Sequence, residues 1–222
     1  MLSLEESLKI LKKTKALIEG HFILSSGLHS PKYVQCAQLM SIPSEAVKIC
    51  QSLADKIKKE FTDFDIILSP AIGGIIVGYE LGKLLNKKTI FSERVHGEFK
   101  LRRDFKIEKG NKVLIVEDVI TTGKSSLECS KLVSSNSAEI IGYACIIDRS
   151  NGKSSIECSK LVKLNNANII GYACIIDRSN GKSKIKEKII SQIELNIPTY
   201  KKDNLPKELL SIEAVKPGSR NL

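Results

Sequence analysis

The sequence predicts an α/β fold built on a mostly parallel sheet. Strand-like and helix-like patterns alternate along its 222 residues, an order typical of a parallel sheet flanked by helices. Two strand–loop–helix units stand out, at residues 65–85 and 113–133. With 42% apolar residues, the chain is long enough for one such domain, spanning residues 1–222, with a substantial core.

Two helices are predicted before the first of these units. Apolar side chains recur at helical spacing over residues 4–18, so we expect an amphipathic helix that ends at Gly20. A second amphipathic pattern covers residues 44–60, with Ser44 as a suitable N-cap after Pro43.

The segment between these helices, residues 21–35, predicts two short extended pieces joined around Ser26-Gly27. It contains His21 and His29, which suggest a metal or an acid–base site. However, no third ligand with suitable spacing accompanies them. A structural role is therefore the favoured interpretation of this pair.

The first strand–loop–helix unit begins with a short apolar strand at residues 65–69. The loop Pro70–Gly74 follows, and a helix is expected from about Ile75 to Leu85. Glycines at the end of a strand let the backbone approach an anion closely. This loop is therefore a candidate pocket for a diphosphate.

A strand at residues 88–93 leads into a basic stretch, residues 93–103, with four basic side chains around Gly97. This stretch predicts a hairpin or a mobile loop. Arginines in it would suit a bidentate grip on phosphate. A solvated basic hairpin without a ligand is equally consistent with the composition.

The second unit carries the most chemistry. A buried strand over residues 113–116 ends in two carboxylates, Glu117 and Asp118, and the turn 121–123 then leads into a helix from Ser125 to Val133. In an open α/β sheet, ligands lie beyond the carboxyl ends of the strands. The start of a helix there suits a phosphate, and the carboxylates suit sugar hydroxyls or Mg²⁺.

Two common phosphate motifs are excluded. A Walker A loop needs a glycine five residues before Gly-Lys-Ser/Thr. The three Gly-Lys-Ser runs have Asp118, Ile147 and Ile176 at that position. No Gly-x-Gly-x-x-Gly occurs either.

Residues 123–151 and 152–180 are nearly the same sequence, identical at 24 of 29 positions. Each copy predicts one helix and one strand, the strands at residues 140–147 and 169–176. Two copies are too few for a solenoid, so an in-frame duplication of one helix–strand unit is the better explanation. We expect the first strand to occupy the position next to the central strand, because its connection is short. The tail predicts a strand at 189–197, a short helix near 206–210 and a loose end.

The composition does not decide which kind of partner the protein binds. The formal charge is +10, but aromatics make up only 5% and there is no Trp, which is poor material for stacking on bases. We therefore expect no nucleic-acid partner, and small polyanionic substrates are equally consistent with the charge. Six cysteines without a Cys-x-x-Cys pair fit free thiols in a reducing cytosol. Without a signal-peptide pattern or an apolar run of membrane length, we expect a cytoplasmic protein with no membrane partner.

The strand, two acids and Thr-Thr-Gly turn closely resemble the phosphoribosyl-diphosphate (PRPP) signature of type I phosphoribosyltransferases. Further landmarks resemble the shorter bacterial members of the orotate phosphoribosyltransferase family. They are residues 20–30, 69–74, Glu93-Arg94, 101–103, 147–149 and 197–200. The resemblance implies the type I phosphoribosyltransferase fold, with a small hood made by residues 1–40 and the C-terminal segment. It also implies a magnesium-dependent transfer of phosphoribose from PRPP to orotate, and a homodimer whose basic loop reaches the neighbouring active site.

Site residues follow from the same resemblance. The PRPP site would comprise Arg94, Glu117, Asp118, Val119, Ile120, Thr121, Thr122, Gly123, Lys124 and Ser125. Glu117 and Asp118 would hold the ribose hydroxyls, and Arg94 would contact the diphosphate; these three form the catalytic set. Thr121 and one arginine, Arg149 or its copy Arg178, would contact orotate. Mg²⁺ would be held mainly by PRPP rather than by side chains.

The chain departs from longer family members at two places. They have a lysine in the hood where this chain has Ser25, and several lysines and a histidine after the loop arginine. Here Val95, His96 and Gly97 follow Arg94, so His96 and Lys100 are candidate replacements. A purine phosphoribosyltransferase and a non-catalytic PRPP or nucleotide sensor are the alternatives on the same fold.

Overall fold

The computed structural model describes residues 1–24, 26–61, 63–120, 123–148, 171–177, 188–195 and 197–217. Its helices are α1 (Leu4–Lys13), α2 (Cys36–Met40), α3 (Pro43–Glu60), α4 (Gly73–Leu85), α5 (Lys124–Ser135) and α6 (Lys207–Leu210), with a 3₁₀ turn at Lys202–Asn204. Its strands are β1 (Leu17–Ile23), β2 (His29–Val34), β3 (Ile66–Pro70), β4 (Lys88–Val95), β5 (Glu98–Leu101), β6 (Lys112–Ile120), β7 (Glu139–Asp148), β8 (Gly171–Asp177) and β9 (Lys188–Glu194).

Seven strands form one sheet in the order β5-β4-β3-β6-β7-β8-β9. Only β5 runs antiparallel to its neighbour, while the other adjacent pairs are parallel. The predicted α/β fold with a mostly parallel sheet is therefore confirmed. The central strand β6 has β3 on one side and β7 on the other.

The core lies on both faces of this sheet. Along β6, Leu114 and Val116 pack into the cluster that also contains α3 and α4, whereas Val113 and Ile115 pack into the cluster that contains α5. A strand covered on both faces is apolar without alternation, as parallel strands usually are. This double burial explains the unbroken apolar run that preceded the acidic pair in the sequence.

Strands β1 and β2 pair antiparallel and form a separate two-stranded sheet, which we call the hood hairpin. Gly27, at φ +79°, makes the turn between them, as the sequence predicted. The tail of the chain closes on this hairpin. Val215 bridges to Phe22, and Tyr200 bridges to His29.

The two copies of the duplicated strand lie side by side as β7 and β8. They pair in parallel so that each residue faces its own copy, for example Cys145 opposite Cys174 and Asp148 opposite Asp177. As expected, the first copy lies next to β6. The second copy stands between β7 and β9, and its predicted helix, residues 154–162, lies outside the described residues.

The first predicted helix was too long. α1 ends at Lys13 rather than continuing to residue 18, and Gly20 lies inside β1. Thr14 closes the helix through its amide and hydroxyl, both bonded to the carbonyl of Ile10. Beyond it, Leu17 continues the apolar spacing but pairs with Val34 in the hood hairpin, so a tertiary partner overrides the helical pattern.

The start of α3 was also predicted wrongly. Pro43 occupies the first helical turn, and Ile42 is the N-cap, without a side-chain hydrogen bond. Proline suits this position because its fixed φ is already helical and its missing N–H is not needed. Ser44 is therefore inside the helix rather than at its cap.

Candidate active site

The start of α4 approaches the carboxyl end of β6 so closely that a side chain at either of two positions would meet β6. A Cβ atom placed on Gly73, at the start of α4, would lie 2.5 Å from Cγ of Asp118. One placed on Gly74 would lie 2.9 Å from the carbonyl oxygen of Val116. Gly74 is thus required to bring α4 against the backbone of β6, whereas a side chain at position 73 would displace the carboxylate of Asp118.

Glu117 lies within β6 rather than after it, and it is buried. Its Oε2 accepts a hydrogen bond of 2.7 Å from the hydroxyl of Ser126 in α5. Burial raises the pKa of Glu117 to about 7, partly offset by the Ser126 hydrogen bond. Near neutral pH this carboxyl group is therefore present in both its charged and its neutral form.

Asp118, the next residue, is half-buried, and burial also raises its pKa. Its carbonyl oxygen lies 3.7 Å from Sγ of Cys36, the first residue of α2. Because Cys36 follows β2 after a single residue, the hood hairpin is connected directly to the acidic end of β6.

Val119 and Ile120 complete β6, and both point into apolar surroundings. Ile120 is 4% exposed, and Val119 packs against the core. Any contact of these two residues with a phosphate ester would therefore come from their backbone.

The N-terminus of α5 begins directly after this strand. Gly123 takes the N-cap position with φ +70°, and Lys124 is exposed in the first turn. Glycine has no side chain that could accept hydrogen bonds from the first N–H groups of the helix. These groups could instead donate to a bound anion. Thr121 and Thr122, which sequence analysis assigned to the same loop, lie outside the described residues.

Arg94 lies in β4, which turns into β5 at His96-Gly97, so the basic stretch forms a hairpin. Its guanidinium donates to Oε2 of Glu128 in α5 at 2.5 Å and to the carbonyl of Gly97 at 2.6 Å. The same group stacks on Phe99, 4.2 Å from the ring centroid. This places Arg94 next to α5, on the same edge as the acidic pair.

Arg149 and Arg178 lie outside the described residues. The residues that precede them, Asp148 and Asp177, are buried and end β7 and β8. Asp148 is opposite Ile120 of β6, whereas Asp177 is one strand farther away. Of the two arginines, Arg149 thus follows the strand that adjoins the acidic pair.

Three residues that shape this edge were not predicted from the sequence: Cys36, Ser126 and Glu128. Ser126 and Glu128 follow the Gly-Lys-Ser run on α5, and the spacing of Lys124 and Glu128 could have suggested an ion pair. Cys36 comes from a distant segment, and no sequence pattern connects it with Asp118.

The two hood histidines bond to each other. Nε2 of His21 lies 2.6 Å from Nδ1 of His29, and Nδ1 of His21 lies 2.9 Å from the carbonyl oxygen of Ile212. Since that oxygen only accepts, Nδ1 of His21 is the donor to Ile212, and Nε2 of His21 is left to bond to His29. The pair thus ties the tail to the hood hairpin.

In the described part of the chain, no three or more His, Cys, Asp or Glu side chains are grouped so that they could hold a metal ion. None of the helices in those residues has the length and apolar character needed to cross a membrane.

The fold and the acidic edge place the chain in a known class. The family model described as "Phosphoribosyl transferase domain" matches residues 38–175, more than half of the chain. The protein belongs to the phosphoribosyltransferase family.

One curated relative is similar along its whole length. It is the orotate phosphoribosyltransferase of Parvibaculum lavamentivorans, 41% identical over 219 residues, which are 98% of this chain and 98% of that protein. The similarity thus extends well beyond the region matched by the family model.

Solved structures share the fold at lower identity. The orotate phosphoribosyltransferase from Aeropyrum pernix has a TM-score of 0.61 at 22% identity, over 84% of this chain and 92% of that chain. Adenine phosphoribosyl transferase from Trypanosoma brucei has a TM-score of 0.58 at 16% identity, over 82% and 84%. Enzymes named for two different bases therefore share this fold, which by itself does not choose between them.

Proposed function

We propose that this protein transfers phosphoribose from PRPP to N1 of orotate, giving orotidine 5′-monophosphate and diphosphate in pyrimidine synthesis. The observation that carries the proposal is the 41% identity to a protein named orotate phosphoribosyltransferase over 98% of both chains. The arrangement of two acids, a glycine pair and a helix N-terminus at one sheet edge supports it independently.

The charges suggest the mechanism. The reaction breaks the bond from C1 of the ribose to diphosphate and forms a bond from C1 to N1 of orotate. Departure of diphosphate leaves positive charge on the sugar, as in the transition states of glycosidases. Orotate attacks as the N1 anion, so the protein supplies little proton chemistry. Its task is to hold the reactants in line and to neutralise the leaving group.

The proposed roles are those that the resemblance to the family implies. Glu117 and Asp118, at the end of β6, would hold the ribose hydroxyls, and residues 121–125 would wrap the 5-phosphate at the start of α5. Arg94 would contact the diphosphate. Arg149 would pair with the orotate carboxylate, because it follows the strand next to β6.

We propose Mg²⁺ as the cofactor, held mainly by oxygens of PRPP. The donor set supports this choice, because Glu117 and Asp118 offer carboxylate oxygens, which Mg²⁺ prefers, at the edge where PRPP would lie. When bound, the ion would supply positive charge to the diphosphate.

We also propose a homodimer formed through α4. Ile76 and Tyr79 of this helix, and Ile72 just before it, are 57%, 66% and 84% exposed. They follow one another at helical spacing, and exposed apolar patches of this kind mark protein interfaces. Sedimentation of the purified protein as a monomer would contradict this assignment.

A cytoplasmic location is the remaining part of the proposal. Cys36, Cys50, Cys129, Cys145 and Cys174 are buried and are not joined in disulfides. Free thiols are typical of a reducing compartment. Fractionation of the cells that make the protein would test the location directly.

The test is the loss of orotate absorbance in the presence of PRPP and Mg²⁺. It is run on the full chain and on a chain lacking residues 152–180. Turnover by both would support the proposal and make the second copy a tolerated insertion. Turnover by the shorter chain alone would support the reaction and show that the second copy disturbs the site.

If neither chain consumes orotate, the proposed substrate is wrong. Adenine and hypoxanthine are then tested in its place, and turnover of either would identify a purine enzyme. PRPP binding without turnover of any base would instead identify a sensor.

A further inference from the structure

Glu128 is bonded to the cations that the proposed function assigns to PRPP. Its Oε2 accepts from Arg94 at 2.5 Å, and its Oε1 lies 3.9 Å from Nζ of Lys124. Glu128 is in α5, one turn beyond Lys124, so its carboxylate lies beside the phosphate loop without being part of it.

The ion pair with Arg94 is the stronger of these two contacts, and it is partly open to water. The side chains of Arg94 and Glu128 are 39% and 24% exposed. Exposed ion pairs contribute little to stability, so this one can exchange for another anion at low cost. Two of the five guanidinium N–H groups are directed to Glu128 and Gly97.

The charge of Arg94 also acts on Glu117. Burial raises the pKa of Glu117, and the positive charge of Arg94 opposes that effect. The guanidinium is therefore already near the substrate edge while Glu128 holds it.

We propose that Glu128 is a competing carboxylate that holds Arg94 while the site is free of PRPP and takes it back when diphosphate leaves. A phosphate oxygen and a carboxylate oxygen make the same charge-assisted bond to a guanidinium. PRPP must therefore displace Glu128 to engage Arg94, which weakens PRPP binding and speeds release of diphosphate. Glu128 would therefore set the affinity of the protein for PRPP. This inference rests on the proposed use of PRPP as the substrate.

The test is Glu128→Gln, which keeps the shape of the side chain and removes its charge. Glu139→Gln is the matched control, because Glu139 is exposed at the opposite end of the sheet, at the start of β7. In the orotate assay we expect E128Q to lower both the KM for PRPP and the inhibition constant of diphosphate about two- to fivefold, the range for losing one exposed ion pair. The KM for orotate and all constants of E139Q should stay unchanged.

A second variant identifies the partner. In an Arg94→Ala background, E128Q should have no further effect on PRPP, because the competition acts through the arginine. An unchanged or raised KM for PRPP in E128Q would overturn the proposal, and so would an effect that persists without Arg94.

Calorimetric titration of the full chain with PRPP and Mg²⁺ separates this inference from the proposed reaction. Tighter PRPP binding by E128Q than by the unmodified protein would support the inference even if no orotate is consumed. If PRPP does not bind the unmodified protein, both fail together.

Discussion

The seven residues of β8 repeat the last seven of β7, but the two strands have different neighbours. β7 lies between β6 and β8, and β8 lies between β7 and β9. Ile147 pairs with its copy Ile176, and both are fully buried in the same core cluster. Only β7, however, touches the strand that carries Glu117 and Asp118. Identical residues thus form the same kind of strand, whereas the strand next to each copy differs.

The largest expected difference between the copies concerns the arginines that follow them. We expect Arg149→Ala to lower kcat/KM for orotate about 100-fold or more, because it removes one partner of a charge pair with the substrate carboxylate. Arg178→Ala, the matched variant, should stay within about twofold of the unmodified protein. Steady-state kinetics with orotate varied measures both. The reverse order of effects would assign the substrate-facing role to the second copy.

The next comparison concerns stability. Ile147→Ala and Ile176→Ala each remove three buried carbon atoms, and each should lower the free energy of unfolding by about 3 kcal/mol. Urea unfolding followed by circular dichroism measures the change. Of the two, only I147A should also alter PRPP kinetics, because Ile147 pairs with Val119 of β6. A much smaller loss for I176A would show that β8 is not part of the folded core in solution.

The smallest expected effect is the pH dependence produced by Glu117. Its folded-state pKa of about 7 lies above the ordinary value of 4.5, so the folded protein binds more protons than the unfolded chain between these values. Stability from this group is full below pH 4.5 and is lost as pH rises through 7, with about 1 kcal/mol lost between pH 6 and 8. Glu117→Gln should remove this slope from the unfolding free energy.

Variants of Ser126 and of its copy Ser155 test the same pH dependence of stability more specifically. Ser126→Ala removes the hydrogen bond that stabilises the charged form of Glu117, so the stability lost with rising pH should increase and extend to higher pH. Ser155→Ala should leave the pH dependence unchanged. Equal slopes in the two variants would mean that the Ser126 contact does not govern Glu117.

Local patterns predicted the centre of the molecule well. The apolar run before Glu117 and the Gly-Lys-Ser run after it specify a buried strand and a helix start, and both were found within a few residues. The strands of the duplicated unit were also predicted, because β-branched residues dominate both. In these segments, local preference and tertiary packing favour the same structure.

The start of α3 was a local error, whereas the larger errors occurred where a distant partner decides the conformation. Leu17 extends a helical pattern, yet it joins a strand because Val34 is available to pair with it. The contacts of Asp118 with Gly73 and Cys36 join segments far apart in the chain, and no spacing rule connects them. The sequence likewise predicted two copies of a strand without indicating that both would enter one sheet.

The hood hairpin affects the order in which parts of the chain fold during synthesis. Its partners in the tail, Tyr200 and Val215, are made 171 and 193 residues after the residues that they bridge, His29 and Phe22. On the ribosome, where folding begins from the N-terminal side, the sheet edge with Glu117 and Asp118 can assemble while the hood is still open. A nascent chain arrested before Tyr200 should therefore leave β1 and β2 open to protease, and release of the finished chain should protect them.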